Sequence, residues 1–235
     1  MAIYKVTHSK ENRYATLHNH GCNFRCRGCS YKLLGVERPT RFPTMEQIKE
    51  ALRGFDMDRV YFKGGEPTIN PQLPELLRFC KQELKVMTRL GHTQGWNIPT
   101  ENLDFANVTF KAFDPKLHLD YTGQPKEPVY RSFERAYRAG VEMKASAVLI
   151  PGYIGADDVL KICGFVAGLD SNIPFHVMGF IPVPGTEWRR PTDEEMAELV
   201  AAVKRIFRNV TFSHLTSEQM RQASERSRVT SVQVL

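Results

Sequence analysis

The chain has 235 residues, of which 42% are hydrophobic, 10% aromatic and 25% charged. That composition suits a globular protein with one substantial core, and no window approaches the ~18 apolar residues of a membrane-spanning helix. The formal charge is +6 at pH 7; without a dense Lys/Arg run it reads as an ordinary solvated surface, and it leaves an anionic partner, nucleic acid included, open.

The N-terminal run Ala-Ile-Tyr-Lys-Val-Thr-His lacks the apolar stretch of a signal peptide, so a cytoplasmic location is expected. Short β-branched and aromatic runs predict strands at 14–18, 59–63, 85–90, 108–113, 142–150, 175–181 and 210–214. Helices fill the intervals. Thr44-Met-Glu-Gln47 reads as a capping box opening a helix to about residue 53. Leu73, Leu76, Leu77, Cys80 and Leu84 share one face of a helix over 72–84. Further helices are predicted at 130–139, closed by Gly140, and at 157–167. Thr192-Asp-Glu-Glu195 opens one to about 207, and Thr216-Ser-Glu-Gln219 caps a last, more polar one. The alternation predicts an α/β fold with a parallel sheet and helices outside. Whether the sheet closes as a partial barrel or opens as a doubly wound sheet, ligands gather at the C-terminal strand ends.

The cysteines are unevenly placed. Cys22, Cys26 and Cys29 lie in one loop after the predicted strand at 14–18, whereas Cys80 and Cys163 stand alone in predicted helices. Three thiolates on one loop suit zinc or an iron–sulfur centre. Zinc wants a fourth ligand, for which His18 or His20 is at hand; those histidines are equally read as hydrogen-bond donors around a cluster. Cys80 and Cys163 read as small core residues.

The C-x3-C-x2-C loop resembles the signature of the radical S-adenosylmethionine (SAM) superfamily. The resemblance implies a [4Fe–4S] cluster on Cys22, Cys26 and Cys29, with SAM chelating the fourth iron. One-electron cleavage of SAM then gives a 5′-deoxyadenosyl radical that removes hydrogen from a substrate. Lys63-Gly-Gly-Glu-Pro67 resembles the superfamily's GGE element, so Gly64, Gly65, Glu66 and Pro67 are expected at the SAM amino group, with the Glu66 carboxylate facing its positive charge. Thr93-Gln-Gly95, Phe110-Lys-Ala-Phe-Asp-Pro115, Val148-Leu-Ile-Pro-Gly152 and Phe175-His-Val-Met-Gly-Phe180 resemble stretches of the pyruvate formate-lyase activating enzymes. By that likeness Lys111, Ser146 and His176 join the SAM site, and residues 1–235 form one radical SAM domain, a TIM-like partial (β/α)6 barrel. Each has a plainer reading: Lys111 a solvated lysine, His176 a core histidine, Glu66 a surface turn residue.

The likeness has gaps. The aromatic residue usual before the third cysteine is Gly28, which leaves adenine to Tyr31 or Phe24. Arg13 lacks the preceding glycines of the activases, Thr109 replaces an acidic residue, and Ser146 replaces an arginine. The expected substrate is a protein, reached through a short barrel with no long C-terminal extension over its mouth, and the expected electron donor is a flavodoxin or ferredoxin. A small molecule or nucleotide, as in deazapurine synthesis, is the alternative; a non-enzymatic zinc adaptor is the alternative of another class.

Overall fold

The computed structural model describes residues 2–34, 39–229 and 232–235. The chain opens with an antiparallel hairpin of β1 (Ala2–Ser9) and β2 (Tyr14–His20). The sequence reading had no strand over 2–9. A register shift between Ile3 and Lys5 breaks the period-two burial that would have marked it. The hairpin turn holds Arg13 at φ 52°, and its guanidinium bonds Asp56 and Asp58.

From β2 onward each strand lies parallel to the one before: β3 (Arg59–Lys63), β4 (Met87–Thr93), β5 (Phe105–Phe110), β6 (Glu142–Leu149), β7 (Phe175–Gly179) and β8 (Val210–Ser213). A short β9 (Val232–Gln233) pairs antiparallel with β1. All belong to one sheet, ordered β8-β7-β6-β5-β4-β3-β2-β1-β9. Parallel strands that neighbour one another in chain order are the arrangement of a partial α/β barrel.

The helices are α1 (Tyr31–Leu34), α2 (Met45–Arg53), α3 (Leu73–Arg78), α4 (Pro115–Thr122), α5 (Glu127–Arg138), α6 (Ala156–Leu169), α7 (Asp193–Lys204) and α8 (Ser217–Val229). All three predicted Thr caps form, at Thr44 with Gln47, at Thr192 with Glu195 and at Thr216 with Gln219. A π-helical turn over Phe79–Glu83 completes the 72–84 helix. Two features differ from expectation. Residues 94–104 cross from β4 to β5 without a helix. β5 also ends at Phe110, so Lys111 lies just past the strand rather than within it. The expected strand gives way to α4, capped by Asp114, whose carboxylate accepts from the amides of Lys116 and Leu117.

Alternate strand residues face the helices. Val60, Phe62, Leu90, Val108, Ala145, Phe175 and Val177 are fully or almost fully buried. The residues between them in the pleat, including Tyr61, Lys63, Arg89, Asn107, Lys144 and His176, line the concave face. Among the described residues no helix is long and apolar enough to cross a membrane.

Candidate active site

The cysteine loop leaves the C-terminal end of β2 and docks on the end of α4. The amides of Arg25 and Arg27 donate to the carbonyls of Thr122 and Tyr121 at 2.7 and 2.9 Å, satisfying acceptors that a helix end leaves orphaned. Gln124 Nε2 donates to the Asn23 carbonyl at 2.9 Å. Asp114, Pro115 and Gly123 were the legible start and stop signals of this helix; its role as a cradle for the loop was not legible.

All five cysteines are free thiols, and Cys80 and Cys163 lie fully buried in the core, as expected. Cys22, Cys26 and Cys29 gather at the strand ends. Burial, opposed by the Phe24 amide and joined by the charges of Glu66, Cys26 and Cys29, pushes the Cys22 thiol up to about 12. Burial also raises Cys26, opposed by Lys111 and by Gln94. Among the described residues no three His, Cys, Asp or Glu side chains converge tightly enough for a single metal ion. His18, the candidate fourth zinc ligand, instead shares a 3.1 Å hydrogen bond with Thr7, and His20 packs its ring near Tyr4 and Phe42.

The Gly64–Glu66 turn presses on the start of the same loop. Gly64 and Gly65 have φ of 91° and 50°. A Cβ on Gly65 would lie 2.0 Å from the Gly21 carbonyl, and one on Gly64 2.6 Å from that of Asn19. The glycines therefore admit the neighbouring backbone of this chain. Asn19, unremarked in the sequence, locks the contact: its Nδ2 donates to the carbonyls of Gly21 and Gly64, and its Oδ1 accepts from Asn70.

Glu66 is only 1% exposed, so it is no surface turn residue. Its carboxylate accepts from the Thr68 amide and hydroxyl at 3.1 and 2.6 Å, from the Thr93 hydroxyl, and from the Gln94 amide at 2.8 Å. Pro67 begins the 3-10 turn Pro67–Ile69 directly behind it. Gln94 then bridges to the cysteines, its Nε2 donating to Cys26 Sγ at 3.1 Å. The Gly-Gly-Glu turn, the Thr93–Gly95 segment and the cysteine loop are thus one hydrogen-bonded unit.

The three remaining expected residues are arranged differently from one another. Lys111 lies close enough to Cys26 for its charge to act on the thiol. Ser146 is 2% exposed, and its hydroxyl is taken up by Thr109 at 3.0 Å and the Val108 carbonyl at 3.2 Å. His176 is no core histidine: it is half-buried on the concave face, bonded to Thr211 at 2.7 Å and Ser213 at 3.0 Å.

Residues 16–165 match the sequence profile of the radical SAM superfamily. The chain belongs to that superfamily. It is 26% identical over 182 residues, 75% of this chain and 71% of the relative, to a Methanocaldococcus jannaschii protein that carries the provisional name of a glycyl-radical enzyme activating enzyme. It is 25% identical over 141 residues, 55% of this chain and 43% of the relative, to a GTP 3′,8-cyclase of Photorhabdus laumondii. Among solved structures, SuiB of Streptococcus suis bound to SAM superimposes with a TM-score of 0.68 at 18% identity, covering 88% of this chain and 51% of SuiB. A domain of pyruvate-formate lyase-activating enzyme from Bacteroides vulgatus superimposes at 0.52 and 18% identity, covering 66% of this chain and 98% of that domain. The fold is therefore the partial barrel expected, and the chain spans about half the length of SuiB and of the cyclase. Radical SAM proteins are enzymes that use a [4Fe–4S] cluster and SAM.

The residues present suit that pair of cofactors. Three free thiols stand on one loop, and the Oε1 of Gln94 is buried beside Cys26 with no hydrogen-bond partner. Gly28 also finds an explanation. A Cβ there would meet the Tyr121 hydroxyl at 2.5 Å and Phe180 at 2.7 Å, so aromatic rings from α4 and from the end of β7 already fill the space. Trp188 extends that cluster, 5.8 Å from both rings, with the Arg27 guanidinium 4.8 Å over it. Phe24, by contrast, is buried against Trp96, and Tyr31 is 40% exposed with its hydroxyl toward Gly64. Phe180 stands in the Phe175–Phe180 stretch singled out in the sequence, but its grouping with Tyr121 and Trp188 was not legible because the three come together from distant segments.

Proposed function

We propose that Cys22, Cys26 and Cys29 hold the [4Fe–4S] cluster, and that SAM lies between it and the Gly64–Glu66 turn. When bound, cluster and SAM supply a 5′-deoxyadenosyl radical that removes a hydrogen atom from the substrate. The observation that carries this reading is the hydrogen-bonded unit joining Glu66, Gln94 and Cys26. Lys111 is the cation available to the SAM carboxylate, and Gln94 Oε1 and the backbone of the glycine turn are acceptors for its ammonium. Tyr121 and Phe180 are 3% and 2% exposed and fill the space at Gly28, so of the two rings expected at adenine the exposed Tyr31, rather than the buried Phe24, is the one available to it, and His176 remains a candidate for the ribose side. Ser146 has its hydroxyl engaged within the sheet and drops to a supporting place.

Two readings of the substrate are supported. The provisional name of the M. jannaschii relative supports a protein substrate of the activase kind. The chain's own residues support a small molecule. Arg13, matched to a basic residue of the activases, is engaged by Asp56 and Asp58 at the hairpin turn, and Thr109 and Ser146 bond each other where the activases carry charges. We favour the small-molecule reading, with a flavodoxin- or ferredoxin-type protein as electron donor.

Anaerobic reconstitution with iron and sulfide tests the enzyme reading. Wild type should take up about four irons, and with dithionite and SAM release 5′-deoxyadenosine. Cys→Ala changes at 22, 26 or 29 should abolish both, whereas Cys80→Ala and Cys163→Ala should preserve both. A protein that loads iron but gives no 5′-deoxyadenosine above the dithionite blank defeats the proposal.

A further inference from the structure

The middle of the concave face is basic, and its cations lack carboxylate partners. Lys63 ends β3 and runs across Gly91 of β4, where a Cβ would lie 2.5 Å from Lys63 Cε; its ammonium sits 4.9 Å over the Tyr61 ring. Arg89 stacks 4.0 Å over the Phe105 ring, with its Nε buried and unbonded. On the next strand Asn107 Nδ2 lies 3.3 Å from His92 Nδ1, and Asn107 Oδ1 is buried without a partner. Lys144 pairs with Asn107 in the β5–β6 register. Burial, followed by the charges of Lys63, Lys111 and Lys144 and by His176, pushes the His92 imidazole down to about 4, so these groups surround one space. None of Lys63, Arg89 or Lys144 belongs to an ion pair among the described residues.

Three unpaired cations and two orphaned polar atoms on one concave wall cost free energy unless something anionic meets them. The SAM carboxylate is not enough. Asn107 precedes Lys111 by four residues, about 13 Å along an extended strand, so the Asn107–Lys144 layer lies well below the cofactor level. A single carboxylate would leave most of this charge uncompensated, whereas a phosphate ester or diphosphate carries several charges and several acceptors.

Resting on the enzyme reading above, we propose that the substrate is a phosphorylated small molecule whose phosphate group binds in the lumen between Lys63, Arg89, His92, Asn107 and Lys144. Bound there, the phosphate sets the depth of the substrate and presents its remaining carbons toward the cysteine end of the barrel. The neutral His92 accepts from Asn107 at Nδ1, which leaves its Nε2–H as a donor.

Calorimetric titration of inorganic pyrophosphate into the full chain tests this site without cluster or turnover. Wild type should bind, and Lys63→Gln and Lys144→Gln should each weaken binding about ten- to a hundredfold, the usual weight of a charge-assisted hydrogen bond. Lys144→Arg should restore most of the affinity. Lys161→Gln, on the exposed side of α6, should change nothing. Circular dichroism confirms that each variant is folded. No binding by wild type, equal weakening by Lys161→Gln, no weakening by folded lumen variants, or tighter binding of citrate than of pyrophosphate would each overturn the phosphate site. A wild-type protein that makes 5′-deoxyadenosine yet ignores pyrophosphate loses only this site. One that makes none loses the enzyme reading, whatever it binds.

Discussion

The side-chain amide of Gln94 donates to the sulfur of Cys26 over 3.1 Å, while its backbone amide donates to Glu66 over 2.8 Å. One residue thereby couples a cluster thiolate to the Gly-Gly-Glu turn. A hydrogen bond to a ligand sulfur stabilises the more negative, reduced cluster and raises its potential. Gln94→Leu should therefore lower the midpoint potential. A difference of about 1 kcal/mol between the two oxidation states corresponds to roughly 40 mV for one electron. Potentiometric titration followed by electron paramagnetic resonance reads the shift; an unchanged midpoint would remove this bond from the redox argument.

Glu66→Gln has a structural consequence beyond any effect on SAM. The carboxylate receives four protein donors, two of them hydroxyls. A glutamine presents an NH2 where an acceptor stood, so at least one backbone amide or hydroxyl faces another donor. Leaving one buried donor unsatisfied costs about 1–3 kcal/mol, or roughly 2–12 °C in melting temperature for a domain of this size. Scanning calorimetry of the cluster-free protein should show the loss. A melt identical to wild type would mean that the turn tolerates the amide, leaving Glu66 important only if SAM affinity falls.

What was legible in the sequence was local. The C-x3-C-x2-C spacing, the Gly-Gly-Glu-Pro turn and three Thr caps are each complete within a few residues, and each lies where it was expected. The parallel core was legible because its strands are short, apolar and separated by amphipathic helices. Strand β1 was hidden by its bulge, and α4 was passed over although Asp114, Pro115 and Gly123 mark its ends. Asn19 and the place of Tyr121 escaped because their importance lies in contacts made across the chain: Asn19 bonds Gly64 and Asn70, and Tyr121 fills the place left by Gly28. The lumen charge was invisible for a related reason, since Lys63, Lys144 and Arg89 are brought together only by strand register.

Gly65→Ala should be far more damaging than Gly185→Ala, although both positions have positive φ. The backbone cost of a left-handed alanine is about 1–2 kcal/mol in either case. At Gly185 nothing lies within 4 Å of the added carbon, whereas at Gly65 it meets the Gly21 carbonyl at 2.0 Å. That atom is backbone at the entrance to the cysteine loop and cannot swing aside. Gly65→Ala should then reduce iron loading as well as stability, and Gly185→Ala should load iron as wild type does. Comparable iron content in the two variants would show that the loop yields more easily than its contacts imply.

His18 makes stability depend on acid. Burial first, and then the charges of Lys5 and Lys63, lowers its imidazole from 6.5 to about 4. The unfolded chain binds this proton more tightly than the folded one, so the stability is present above about pH 6.5 and is lost as pH falls toward 4. The full effect is on the order of 3 kcal/mol. His18→Asn should flatten the acid limb of a stability profile measured by urea unfolding between pH 7 and 4. An equally steep limb in the variant would assign the acid sensitivity to other groups.

Gly28 and Tyr121 should behave as a coupled pair. The Tyr121 hydroxyl lies 2.5 Å from where a Cβ on Gly28 would be, and Phe180 closes the space at 2.7 Å. Tyr121 is 3% exposed, so its ring cannot move out into solvent. Gly28→Ala alone therefore overpacks the site and should cost about 1–3 kcal/mol. In a Tyr121→Phe background the nearest clashing atom is gone, and the same alanine should cost less, with a coupling of about 0.5–2 kcal/mol from a double-mutant cycle. The Phe180 contact remains, so the rescue is partial. A zero coupling energy would mean that Tyr121 shifts freely in the native state.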